Sequence, residues 1–328
     1  MPAATDDSQQ TSSGLSSRES MICGGIAGLT SRFFVAPLDV VKIRQQLEIR
    51  QLNSSRNRFS SQRQYRGILR SLHTVYKNEG LTSLWRGNIP AEILYLVYGS
   101  VQFATYNQIL SLLSPFHLPS SAQNFISGAL AGATATTATY PLDLLRTRFA
   151  AQGSNLDRIY SSLRDACRQI YNDEGIPGFF RGLRPATAQI VPYMGLFFTS
   201  YQPLKSTLSS FSDKLDVNTF GSSDAVAGML AGVISKTGIF PLDVVRKRLQ
   251  VQGPTRERYV LKDIPVYPTS ITGCARAIVK NEGMLGLYSG LWVGLVKSAP
   301  ASALTMWIFE NSVITLRWVE EKYGILEA

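Results

Sequence analysis

Three acids in this chain each stand two residues after a proline and three before a base. They are Asp39 with Lys42, Asp143 with Arg146, and Asp243 with Arg246. The prolines are Pro37, Pro141 and Pro241, spaced 104 and 100 residues apart. Residues three apart share one face of a helix, so each acid and its base project to the same side. Nothing nearby supplies a nucleophile with its base, so the chemistry on offer is electrostatic. Carboxylates and bases on separate helices can pair, separate and pair again. A charge inside a long apolar helix is costly and is kept for function.

The elements that carry these pairs recur as well. A small-residue block ends nine residues before each proline, at Gly28, Gly132 and Gly232. Each block is a Gly-xxx-Gly, the spacing that lets helix backbones approach closely. Downstream stand Glu79-Gly80 with Trp85-Arg86-Gly87, Glu174-Gly175 with Phe180-Arg181-Gly182, and Glu282-Gly283 with Tyr288-Ser289-Gly290. A period near 100 residues makes the chain a threefold internal repeat.

On this triplicated motif set the chain resembles the mitochondrial carrier family of solute transporters, over about residues 20–318. The resemblance implies an all-α membrane protein of three repeats, with six transmembrane helices and three short matrix helices in a pseudo-threefold barrel. The repeats are expected at 20–115, 116–215 and 216–328, after a polar tail at 1–19 that reads as disordered. The expected spans are Ser20–Glu48, Asn88–Leu113, Ser121–Ala151, Arg184–Ser209, Ser222–Val251 and Leu291–Trp318. Short helices are expected at Arg66–Asn78 and Ser161–Asn172, with a third before Glu282. No strand pattern stands out. The resemblance also implies the mitochondrial inner membrane, a multi-pass topology and an internal address, and a monomer suffices.

Composition agrees without deciding. The 328 residues are 45% hydrophobic, with a net charge of +10 and a mean hydropathy of +0.01. That hydropathy leaves a soluble helical-repeat binding protein open as the alternative class. The basic balance suits an anionic substrate or lipid, and no nucleic-acid motif accompanies it. Arg50, Arg56, Arg58, Arg63 and Arg66 read as a solvated loop. Cys23, Cys167 and Cys274 read as free thiols. Two histidines with no nearby ligand set offer no metal site, and neither an enzyme nor a resident cofactor is expected.

The family arrangement implies a matrix gate in which Asp39 pairs with Arg146, Asp143 with Arg246, and Asp243 with Lys42. Gln46 and Gln250 match the glutamines that brace such pairs, while Ala150 leaves the middle brace missing. The matching cytoplasmic gate is poor. It reads Asn107, Lys205 and Glu310, with Leu110 where a base would stand, and is expected to be weak. Arg86-Gly87 and Arg181-Gly182 are the expected contacts for an anionic lipid, by resemblance cardiolipin.

The expected substrate site lies at mid-membrane. Arg32 and Lys236 stand five residues before their prolines. The even helices offer Leu94-Tyr95, Gln189-Ile190 and Lys297-Ser298. Arg32, Lys236 and Lys297 are bases without an equal set of acids, which suits a multiply charged phosphorylated anion. Glu92, Tyr95, Tyr98 and Tyr193 are expected to receive a cationic or aromatic ring. The stretches Arg146–Gly153, Ile190–Phe198 and Arg246–Pro254 are similar to family members that move thiamine pyrophosphate, which becomes the expected cargo. Nucleotides, deoxynucleotides and coenzyme A are the alternatives.

Overall fold

The structure, a computed structural model, describes residues 17–49, 65, 67–116, 119–153, 158–215, 223–261 and 264–323. The expected tail at 1–19 falls almost wholly outside the described residues, as do the basic-loop arginines. Eleven α-helices run through the described residues, and no strand occurs among them. They are α1 (Ser17–Leu47), α2 (Ile68–Glu79), α3 (Asn88–Leu113), α4 (Ser120–Ala151), α5 (Leu163–Gly178), α6 (Leu183–Ala188), α7 (Ile190–Leu215), α8 (Ser223–Gln250), α9 (Ile271–Glu282), α10 (Leu291–Val296) and α11 (Ser298–Tyr323).

The long helices form a ring. α3 packs on α4, α7 on α8, and α11 returns to α1. With 31 residues at about 1.5 Å each, α1 is long enough to cross a bilayer. Among the described residues, three segments are long and apolar enough to cross a membrane: Glu19–Leu47, Val226–Gln250 and Met284–Val319. α3, α4 and α7 complete the ring and turn side chains such as Phe103, Leu130 and Phe198 outward.

α1, α4 and α8 each contain their repeat's proline. A proline leaves the carbonyl four residues earlier without its donor. For Pro37 that carbonyl belongs to Phe33, and the Trp85 indole N–H donates to it at 2.9 Å. The acids and bases lie just past the prolines, where α1, α4 and α8 meet. Beneath them sits the main apolar core, with Val40, Leu144, Val244 and Ile278.

Two expected spans are broken. The fourth is interrupted at Gln189 between α6 and α7, and the sixth at Lys297 between α10 and α11. Pro192 and Pro300, three residues on, explain both breaks, since they free the carbonyls of Ala188 and Val296. Val97 holds the matching place in α3, and that helix is continuous. The second short helix runs on to Gly178, past a non-helical Gly175. No disulfide joins Cys23, Cys167 and Cys274, and burial pushes the Cys274 thiol up to about 12.

Candidate functional site: an ion-paired cavity

Each ring base reaches the acid of a neighbouring repeat. Arg146 meets Asp39 at 2.6 Å, Arg246 meets Asp143 at 2.9 Å and Lys42 meets Asp243 at 2.7 Å. Gln46 donates to Asp243 at 2.9 Å, and Gln250 donates to Asp143 and to the Tyr140 hydroxyl. The helix geometry sets this pattern, because an acid and a base of one repeat share a face but point to different neighbours.

Above the ring lies a cavity of about 400 Å³, within the roughly 300–1,000 Å³ usual for small-molecule sites. The ring residues, Tyr95, Tyr98, Gln189, Ile190, Tyr193 and Lys297 line it. Arg32, Glu92, Lys236 and Ser298 are not among its lining residues.

The expectation of three bases without acids needs correction. Lys297 is ion-paired with Asp39, which therefore serves two bases. The Lys236 ammonium donates to the Gly294 carbonyl at 2.6 Å. The Arg32 guanidinium stacks on the Tyr95 ring, whose hydroxyl accepts from Arg146 at 3.1 Å. Among the described residues, Gln189 Oε1 and Glu92 Oε2 are buried without a hydrogen-bond partner, as are Gln46 Oε1 and Ser127 Oγ. The Ser298 hydroxyl turns back to the Leu295 carbonyl. At the far end of the cavity helices, Asn107 and Glu310 are exposed and Lys205 is half-buried.

The lipid expectation also changes. Arg86 turns inward, donating to Glu79 at 3.0 Å and to the Gln152 carbonyl at 3.1 Å. Arg181 reaches Glu174 at 2.7 Å and keeps about a third of its side chain exposed, at 36%. The glycines beside them have another task. Gly87 has φ +83°, in the left-handed region, and a Cβ there would stand 2.6 Å from the Arg146 carbonyl oxygen. Gly182 and Gly290 likewise abut the carbonyls of Arg246 and Lys42. The turns thus rest on the backbones of the ring bases. Gly87→Ala is expected to destabilise the protein by at least about 1–2 kcal/mol from the conformation alone. Gly99→Ala, in open helix, should be neutral or mildly stabilising. Thermal unfolding in detergent compares them, and equal midpoints would refute the contact.

Sequence reasoning missed a second threefold set. Arg44, Arg148 and Arg248 each fork onto the glutamate of their own repeat, Glu79, Glu174 and Glu282. Each also donates through Nε to a carbonyl of the next repeat, at Ala150, Gln250 and Gln46 respectively. Tyr65, Tyr160 and Tyr267 accept from the same guanidiniums. The signal was present as a second base two residues after each ring base. Lys247, buried and bonded to Asp143, was missed as well.

A ring of helices around a cavity, closed at one end by ion pairs that other contacts could replace, defines a solute carrier rather than an enzyme. The chain belongs to the mitochondrial carrier family. The family model described as mitochondrial carrier protein matches residues 13–116, 118–212 and 219–318. That membership sets aside the soluble helical-repeat alternative. Among similar proteins, the mitochondrial thiamine pyrophosphate carrier 1 of Aspergillus oryzae is 52% identical over 307 residues, covering 92% of this chain and 94% of the relative. The protein of that name from Ajellomyces capsulatus is 55% identical over 291 residues, covering 88% and 87%. That from Neosartorya fischeri is 53% identical over 304 residues, covering 90% and 92%.

Proposed function

We propose that this protein moves thiamine pyrophosphate across the mitochondrial inner membrane by alternating access. The observation that carries the reading is a cation-rich cavity whose closed end is built from exchangeable ion pairs. The names of its relatives support the same cargo. Lys297 stands at the cavity with only a shared acid for a partner, so a phosphate oxygen can compete for it. Tyr95 and Tyr193 offer aromatic faces to the thiazolium and aminopyrimidine. The unpartnered Gln189 Oε1 is placed to accept from the amino group. Arg32 and Lys236, beside the lining, add field that draws in an anion, and Glu92 favours the cationic ring.

The ring of Asp39, Asp143 and Asp243 with Arg146, Arg246 and Lys42 acts as the matrix gate, with Gln46 and Gln250 as braces. Asn107, Lys205 and Glu310 form a weaker cytoplasmic gate. Arg181 beside Gly182 is the base left to meet an anionic headgroup such as cardiolipin, and a single chain holds the whole pathway.

Uptake by the purified protein in liposomes, with a panel of phosphorylated cofactors, tests the cargo. Thiamine pyrophosphate should be taken up in preference to nucleotides and coenzyme A, and a preference for either of those would replace this reading. Lys297→Ala should lower thiamine pyrophosphate uptake at least about tenfold, the worth of one charge-assisted contact. Unchanged uptake would remove Lys297 from the site.

A further inference from the structure

We propose that Lys247 is a pyrophosphate contact at the floor of the cavity, held in reserve on Asp143 until the anion arrives. The inference rests on the reading of a phosphorylated cargo. It begins from a count of charge. The cavity lining holds three carboxylates and five bases. The three ring pairs cancel, which leaves Lys247 and Lys297 over. Each is the second base on an acid that already has one. Lys297 shares Asp39 with Arg146, and Lys247 shares Asp143 with Arg246.

Lys247 is 7% exposed. Its ammonium lies 3.1 and 3.2 Å from the Asp143 oxygens, 2.9 Å from Thr147 Oγ1 and 3.0 Å from Gln250 Oε1. Those contacts satisfy its three hydrogens but not its charge, since one carboxylate cannot neutralise two cations. A surplus buried cation is costly unless something of opposite sign joins it. Gate packing alone does not call for a base here. The equivalent residues in the other repeats are Ile43 and Thr147, and the Lys42–Asp243 pair forms with no second base on its acid among the described residues.

A pyrophosphate carries more than one negative charge and several acceptor oxygens, so it can engage both surplus lysines, whereas a monophosphate offers fewer. Drawing Lys247 off Asp143 leaves α4 and α8 joined there by fewer bonds. Binding would then favour opening, because the ligand interacts differently with the two states. Lys247 thus both selects for a diphosphate and loosens the gate beneath it.

The test is competition against substrate uptake in proteoliposomes, comparing thiamine pyrophosphate with thiamine monophosphate. The variant is Lys247→Thr, the residue repeat 2 carries. Apparent affinity for the pyrophosphate should fall about tenfold, from loss of one charge-assisted contact. Affinity for the monophosphate should change much less, so that the preference shrinks. Lys247→Arg should keep the preference. A residue that merely braces the gate would alter the rates for both esters alike and leave their ratio intact, and an unchanged ratio overturns the proposal. Should Lys247→Thr fail to insert, Lys247→Gln retains hydrogen bonding without charge and reads the same ratio. If the wild-type protein ignores thiamine esters but prefers nucleoside diphosphates to monophosphates, the cargo reading falls and Lys247 is judged on that pair. A wild type indifferent to a second phosphate overturns the inference itself.

Discussion

Asp243→Lys should abolish uptake, and adding Lys42→Asp should restore a measurable part of it. The single change sets two cations against each other in a partly buried site, with side chains 17% and 14% exposed in the native pair. Breaking a buried pair from one side costs about 3–5 kcal/mol, which would hold the gate apart or misfold it. The double change returns opposite charges to the same helices, although Gln46 would then face a cation where it now donates to a carboxylate. This pair is the cleanest of the three. Asp39 and Asp143 each have a second base, Lys297 and Lys247, that an exchange would leave stranded. Uptake by the double variant no better than by the worse single one would show that Lys42 and Asp243 do not act on each other.

The second large effect is on folding. Arg148 and Glu174 have side chains only 0% and 1% exposed, and the fork between them is bidentate. Arg148→Ala leaves Glu174 with Arg181 alone and orphans the carbonyls of Gln250 and Gln252. The expected loss is about 3–5 kcal/mol, or roughly 4–7 °C in unfolding midpoint for a chain of this size. Arg164→Ala, on the exposed face of α5, should shift the midpoint far less. Replacing both partners by apolar residues should cost less than Arg148→Ala alone, because no charge is then left buried. A midpoint for Arg148→Ala within about 1 °C of wild type would show that the fork contributes little.

The ring and the repeat could be read from sequence because both depend on identity and spacing alone. Proline, acid and base recur in register, and the helix period puts them on one side. Distances between repeats are another matter. That Arg32, Lys236 and Lys297 are basic is plain in the sequence. That Lys297 lies against Asp39, 258 residues earlier, emerges only when α10 and α11 fold back onto α1. Arg86 looked available to a lipid because its motif places it at a turn, and only the fold turns it onto Glu79. The breaks at Gln189 and Lys297 were within reach, since Pro192 and Pro300 stand where a helix would need their N–H groups. The arginine–glutamate set was within reach too. Arg44, Arg148 and Arg248 recur as faithfully as the ring bases do, but a recurrence alone does not say which residue it meets.

The three turn glycines have a consequence for the chain as a whole. Gly87 of the first repeat sits on the second, Gly182 of the second on the third, and Gly290 of the third on the first. Each repeat gives one surface to its successor and receives another from its predecessor. This is a heterologous interface that closes after three steps, as in a cyclic trimer whose protomers share one chain. Linear repeat arrays have end repeats and shield them with caps. A closed cycle has no ends to cap. A chain shortened by one whole repeat would therefore present a donor face and a receiving face at once, both unfilled. Such a fragment and the missing repeat would satisfy one another only by meeting in the membrane.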